Sequence, residues 1–328
     1  MNIKLIAFIL LLLSLSFPFL ANDHLYGERK EVNDFADEIA KKHEFNSSEI
    51  KELLSSAIFQ EKVVRIMDRQ PEGTMTWTRY RKIMVSEDRI KQAKQFIDSY
   101  KDQLLRAQDA YGVPAEVIAS IIGIETRYGR ITGGIRVLDS LMTLSFDYPR
   151  RAKFFKIQLE EFLVLCKEEG LDPLKIKGSI AGAMGYGQFM PDSYRNYAVD
   201  FDNDGVRDIV NNPIDAIGSV ANFLSKKGKW SPNEPIAFKA RLEGNDPQIK
   251  SAFKPYMRED ELERLLIYPE KKIPNGKLIV PVKLPLEKGW EYRVGLDNYY
   301  SLSRYNRSKL YVMAVSDFSE EIAVFFKE

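Results

Sequence analysis

Glu125 closes a run in which Ile118, Ile121, Ile122 and Glu125 stand at i, i+3, i+4 and i+7, so the four share one helix face. A carboxyl group at the end of a buried isoleucine stripe loses hydration, which disfavours its charged form and suits it to donate a proton near neutral pH. The simpler reading is a helix-end glutamate paired with Arg127 or Arg130. The stretch from Lys177 to Pro191 carries glycines where side chains would keep a backbone from approaching a ligand. It also offers the Ser179 hydroxyl, the Tyr186 phenol and the Gln188 amide, groups that suit an N-acetylated sugar. It lacks the spacing and the Lys-Ser/Thr pair of a phosphate-binding loop, and as structure alone it reads as a tight helix-to-helix turn.

A third group is acidic. Asp200, Asp202, Asp204 and Asp208 fall at positions 1, 3, 5 and 9 of an EF-hand-like calcium loop, with Gly205 at position 6 and the Val206 carbonyl at 7. Position 12 is Asn211 in place of the bidentate glutamate. Either the affinity is low, or the loop is longer and Asp215 supplies the last carboxylate; an acidic turn without an ion is the third option.

Helical periodicity must position these groups. It runs from Val32 to about Met67, from Ile90 to Ala110, from Ala115 to Tyr128 with a stop at Gly129, from Arg151 to Glu169 with a stop at Gly170, from Pro213 to Lys227, and from Leu310 to Phe326. Between Trp230 and Tyr305 strand signals dominate, notably at Leu278–Val282 and Glu291–Val294. The expected fold is mainly α (α+β), a helical body with a smaller β-rich insertion. Lys and Arg number 48 against 47 Asp and Glu, with no basic block, which argues against nucleic acid as a partner. The N-terminus, with Lys4, an apolar run from Leu5 to Leu13 and Ala21 ahead of Asn22, has the pattern of a signal peptide cleaved after Ala21. Cys166 is the single cysteine, so neither lipidation near that end nor an intrachain disulfide is expected.

The segments YGVPAEVIASIIGIETRYGR, LDSLMTLSFDYPRRAKFF, KGSIAGAMGYGQFMPDSYRNYAVDFDNDG, PIDAIGSVANFL and YYSLSRYNRSKLYVMAV resemble, in order, the B-type membrane-bound lytic murein transglycosylases and their soluble relatives. The resemblance implies a lysozyme-like helical catalytic core. From it and the patterns above, the chain is expected to divide into a signal peptide at 1–21, an N-terminal helical segment at 22–72, the core at 73–230, a β-rich subdomain bordering the cleft at 231–306 and a returning C-terminal helix at 307–328. The resemblance makes Glu125 the single acid and base for the bond between N-acetylmuramic acid and N-acetylglucosamine. The substrate's acetamido group then supports the sugar cation, and closure by the C6 hydroxyl leaves a 1,6-anhydro end. Ser179, Gln188, Tyr305 and Asn306 match cleft positions in that family, Tyr80 and Tyr311 match aromatic positions near the sugar, and Arg150 with Arg151 suits the acidic groups of the wall polymer. Phe154 and Phe223 depart from the family pattern, which often has tyrosine there.

The resemblance also favours Asp215 as the last ligand of a structural calcium ion, and it implies no organic cofactor. Peptidoglycan glycan strands are the expected partner, other cell-wall enzymes are further candidates, and the chain is expected to be a periplasmic monomer. A muramidase that uses a second acid such as Asp147, or a calcium-stabilised wall-binding module without activity, are the alternatives.

Overall fold

A computed structural model describes residues 25–69 and 75–327, so the signal-peptide pattern and its expected cleavage point lie outside the described residues. The chain divides into two compact units, one ending at Ile58 and the other beginning at Phe59.

In the first unit, helices α1 (Lys30–His43) and α2 (Ser47–Ser55) pack against each other. Glu44 turns the chain in the left-handed region, and the Asn46 side chain accepts from the amides of Ser48 and Glu49 to start α2. Asp37 on α1 accepts from Ser47 Oγ at 2.5 Å and Lys51 Nζ at 2.8 Å, which fixes the hairpin. The periodicity expected to run from Val32 to Met67 is therefore interrupted, and its last part, α3 (Glu61–Arg69), belongs to the second unit, where it packs on α7 (Val137–Phe146).

The second unit is built around α6 (Ala115–Thr126). Helices α5 (Glu87–Tyr111), α10 (Pro213–Phe223) and α13 (Lys309–Ile322) all pack on it. Of its residues only Glu116 and Glu125 escape burial. The helix is thus apolar on every side, which is the pattern of a core helix rather than of a surface helix with one buried stripe. Helix α5 bends at Tyr100, where φ is −131° and ψ is 24°. Helix α4 (Trp77–Met84) starts from the Thr76 side chain, and α8 (Ala152–Glu169) ends at Gly170 in the left-handed region, as its glycine predicts.

Helix α6 stops three residues before Gly129. Arg127 and Tyr128 both take positive φ, at 52° and 62°, and so turn the chain early, while Arg127 N–H closes on Gly123 O at 3.0 Å. From there the chain enters strand β1 (Ile135–Arg136), which pairs antiparallel with β2 (Lys177–Gly178), so the segment after the Glu125 helix is laced to the start of the glycine-rich stretch. Gly133 makes the approach possible: a Cβ on it would stand 2.0 Å from Gly178 O. Helix α9 (Pro191–Tyr197) follows that stretch, and α10 continues past Phe223 as a π-turn, Leu224–Gly228, ending at Lys229 in the left-handed region.

The β-rich portion is a four-stranded antiparallel sheet in the order β4 (Ile267–Pro269), β3 (Ala237–Leu242), β6 (Trp290–Gly295) and β5 (Val280–Pro285). Phe238 faces Val294 and Val282 faces Arg293 across the ladders. Leu262, Ile267, Ile273, Ile279, Tyr292 and Val294 form its own core. Two short helices interrupt the region in which strand signals dominate. Helix α11 (Glu259–Arg264) has three acidic residues in its first turn, with Glu261 accepting from Arg258 N at 2.8 Å, and α12 (Asp297–Ser303) leads into α13.

Candidate active site

Glu125 is the penultimate residue of α6 and half-buried. The arginines that sequence spacing offers it as partners are engaged elsewhere. Arg127 binds Gln92 Oε1 at 3.1 Å and forms a close ion pair with Asp88, and Arg130 donates to Gln95 Oε1 at 3.0 Å. What faces Glu125 instead is a pair of tyrosines. Tyr311, in the first turn of α13, is 2% exposed, and its hydroxyl is buried without a well-formed hydrogen bond, with the Glu125 carboxyl as an interacting neighbour. Tyr305 donates to Gly187 O at 2.5 Å and is held edge-on by Phe189 and Phe223. Burial first, and then the Glu125 charge, push both phenols well above their ordinary range, so both remain proton donors. Tyr80, on α4, is 4% exposed and lies within electrostatic reach of Tyr311.

The glycine-rich stretch is folded by its own polar groups. Ser179 Oγ accepts from the amides of Ala181 and Ala183 at 3.3 and 3.0 Å. Gln188, at φ 51°, donates its side-chain nitrogen to the carbonyls of Thr132 and Gly185, both at 3.0 Å. The side-chain nitrogen of Gln188 therefore braces the loop. A bridge between Met184 and Phe189 closes the turn, and Gly185 fits only as glycine, because a Cβ would stand 2.2 Å from Ile209 O. Tyr186 is half-buried and its ring covers Gly129; its carbonyl accepts from Thr126 Oγ1 at 2.9 Å, which ties the loop to the end of α6. Burial raises the Tyr186 phenol too.

Asn306 is half-buried in the turn between α12 and α13, where its carbonyl accepts from Ser308 N at 2.9 Å. Arg150 and Arg151 are exposed on the turn Pro149–Arg151. The contacts of Arg150 run to Asp68 at 3.6 Å, and those of Arg151 to the rings of Phe154 and Phe155. Phe223 is buried among Phe189, Tyr197 and Tyr305, so it serves as packing.

In the acidic loop, oxygens of Asp200, Asp202 and Asp204 lie within 4.8 Å of one another, the convergence a hard cation requires. Asn203 and Gly205 take the positive φ values, 64° and 93°, that fold the loop this way. Asp200, Asp202 and Asp204 also accept backbone amides of the loop, from Asp204, Gly205 and Val206, and the other expected ligands make similar bonds. Asp208 Oδ1 accepts from the amides of Val210 and Asn211, both at 2.9 Å, and caps the next turn. Asp215, fully buried, accepts from Phe201 N at 2.7 Å with one oxygen and from Asp208 N at 2.8 Å with the other. It braces the loop from α10, and burial raises its pKa. Val206 is exposed. Asn212, which spacing did not single out, donates to Asp202 Oδ2 at 2.8 Å. Thr126 also escaped the sequence reading, because a threonine after the acid looks like an ordinary helix end until its partner 60 residues away is known.

Residues 27–320 match the transglycosylase SLT domain. The chain is 40% identical over 308 residues to membrane-bound lytic murein transglycosylase B of Escherichia coli strain K12, covering 91% of this chain and 84% of that protein. Among solved structures, catenated lytic transglycosylase SltB1 of Pseudomonas aeruginosa is similar with a TM-score of 0.86 at 39% identity, over 92% of this chain and 99% of that one. The E. coli lytic transglycosylase Slt35 in complex with calcium is similar with a TM-score of 0.83 at 40% identity, over 92% and 95%. Sequence and fold agree: the chain belongs to the transglycosylase SLT domain family and is a lytic murein transglycosylase.

Proposed function

We propose that Glu125 is the single general acid and base, and that the product carries a 1,6-anhydro-N-acetylmuramic acid end. The observation that carries this reading is the placement of Glu125 at the half-buried end of α6 beside the phenols of Tyr305 and Tyr311. A carboxyl there is accessible on one side and screened on the other, which suits donation to the glycosidic oxygen. Both phenols stay protonated, and with the Tyr305 proton held by Gly187 O it is Tyr311 that can hydrogen-bond the carboxylate once it has given up its proton. The acetamido oxygen of the substrate stands in for a second carboxylate, and Glu125 then takes the C6 hydroxyl proton as the ring closes. The Tyr305 ring and the turn around Gly185 screen the reacting carbon from water. Tyr186, Ser179, Gln188 and Asn306 shape the cleft, chiefly by holding the loop. Arg150 and Arg151 reach outward to the acidic groups of the polymer.

The Asp200, Asp202 and Asp204 carboxylates fit a calcium ion, since three like charges this close repel without a cation. In this reading Asp208 and Asp215 shape the loop, and the ion's role is structural. The chain is further read as exported by its N-terminal pattern; among the described residues no helix is long and apolar enough to cross a membrane.

The deciding experiment digests purified peptidoglycan with the parent and with Glu125→Gln and weighs the fragments. The parent is expected to release ends that resist borohydride reduction, and the variant to lose a factor of about 10² to 10⁴ in rate with its circular dichroism unchanged. Reducible, water-added ends as the main product would replace this reading with hydrolysis. A folded Glu125→Gln variant with more than about a tenth of parent activity, well above that range, removes Glu125 from its role.

A further inference from the structure

We propose that Arg89 is a positioning residue for Glu125, its guanidinium capping the last turn of α6 from the neighbouring helix α5. Arg89 Nη1 donates to Gly123 O at 2.7 Å. The carbonyls of a helix's last turn have no partners within the helix, and the negative end of its dipole lies there, so a cation at that point both satisfies an acceptor and offsets the dipole. Gly123 O also receives the Arg127 amide that terminates α6. One carbonyl, two residues before Glu125, therefore joins the turn that ends the helix to a charge supplied from outside it.

The surroundings allow little movement of this joint. Arg89 is half-buried, and burial lowers its basicity, yet a guanidinium stays charged throughout the working range. Tyr128 folds back over Gly123, where a Cβ would lie 2.5 Å from Tyr128 Oη, and its ring packs on Phe96 of α5 with centroids 4.8 Å apart. Arg89 thus bears on Glu125 through the α6 backbone. Arg127, its neighbour in space through Asp88, holds the same turn to α5 from the surface. A misplacement of about 1 Å costs up to about 10² in rate, so a residue that only fixes this turn governs turnover without touching the sugar.

The inference rests on Glu125 as the acid, and the experiment separates the two. Arg89→Met, Arg89→Lys and Glu125→Gln are compared with the parent for kcat and KM on purified peptidoglycan, below the lowest melting temperature of the set. Arg89→Met is expected to lose about tenfold or more in kcat with KM within about twofold. Arg89→Lys, which keeps a charged donor, is expected to recover a large part of that loss. If Arg89→Met fails to fold, Arg89→Ala with and without sub-denaturing guanidinium ion takes its place, and a guanidinium-dependent rise in kcat supports the role. A folded Arg89→Met within twofold of parent kcat overturns the proposal while leaving Glu125 intact, as does a loss confined to KM or one that lysine and guanidinium do not relieve. Full activity in Glu125→Gln overturns the reading on which it stands.

Discussion

Tyr305 and Tyr311 lie with their ring planes 7° apart and centroids 6.5 Å apart, one hydroxyl spent on Gly187 O and the other turned to Glu125. The two phenols are chemically alike and differ in employment. Tyr305 locks the glycine-rich turn to α13's neighbourhood, whereas Tyr311 keeps its proton for the carboxyl. Tyr311→Phe retains the stack and deletes that donor, so kcat is expected to fall about tenfold, the weight of one hydrogen bond of about 1.5 kcal/mol to a charged group. Tyr305→Phe is expected to lower the melting temperature more than Tyr311→Phe, because it leaves the Gly187 carbonyl without its donor. Steady-state kinetics and melting curves on the pair check both statements, and equal effects in both assays would refute the division of labour.

Alkaline titration tests the burial of these rings. Tyr128, Tyr194, Tyr299, Tyr305 and Tyr311 are all raised, with burial the first cause in each. A group whose folded pKa exceeds its unfolded value, about 10 for tyrosine, leaves stability intact below the unfolded value and removes it as pH rises toward the folded one. Tyrosinate absorbance is expected to rise in two stages, exposed rings first and buried rings only together with loss of far-ultraviolet circular dichroism. A single smooth titration near pH 10 with the fold intact would contradict the packing.

The acidic loop separates a brace from a ligand. Asp215→Ala strands the amides of Phe201 and Asp208 and is expected to cost about 1–3 kcal/mol for each, with or without calcium. Asp200→Ala releases the exposed amides of Asp204 and Gly205 and is expected to abolish the calcium-dependent part as well, about 2.7 kcal/mol when the ion is at a hundred times its dissociation constant. Urea midpoints of parent and variants, with calcium and with chelator, distinguish them. A parent curve indifferent to calcium rules out the ion.

The helical body, the place of Glu125 near a helix end, the glycine-rich turn and the clustering of Asp200, Asp202 and Asp204 are legible in the sequence because each depends on local spacing. The stop of α8 at Gly170 follows from one residue, and so does the start of α10 at Pro213. The end of α6 was misjudged because Arg127 and Tyr128, not Gly129, take the first left-handed positions, and nothing local to a non-glycine residue announces that. The loop-bracing bonds of Gln188 and Asp215 are not legible for a related reason. Their partners, Thr132 and Phe201, are fixed by loop closure 56 and 14 residues away, whereas chemistry alone suggests a ligand. Helix α7 was missed because it is buried on nearly every side and so shows no amphipathic period.

The last prediction concerns the ion cluster between the sheet and α13. Arg293 on β6 and Asp317 on α13 are each 3% exposed and joined by two hydrogen bonds, at 2.5 and 3.1 Å. Arg81 on α4 adds a third bond to Asp317 at 2.6 Å, Glu291 accepts from Arg293 Nε at 2.7 Å, and the Arg293 guanidinium stands 5.5 Å from the centre of the Trp77 ring. The cluster holds three elements in register six residues from Tyr311. Removing one partner of a buried pair leaves an uncompensated charge, so Asp317→Ala is expected to cost about 3–5 kcal/mol. Replacing both at once, with Arg293→Met and Asp317→Leu, exchanges charge for apolar volume and is expected to recover most of that loss, leaving Arg81, which is more exposed, to solvent and Glu321. Urea unfolding of Arg293→Met, of Asp317→Leu and of the double variant completes the cycle. Additive losses would mean that the two residues stabilise the fold independently, and the cluster would then not be what registers α13 against the sheet.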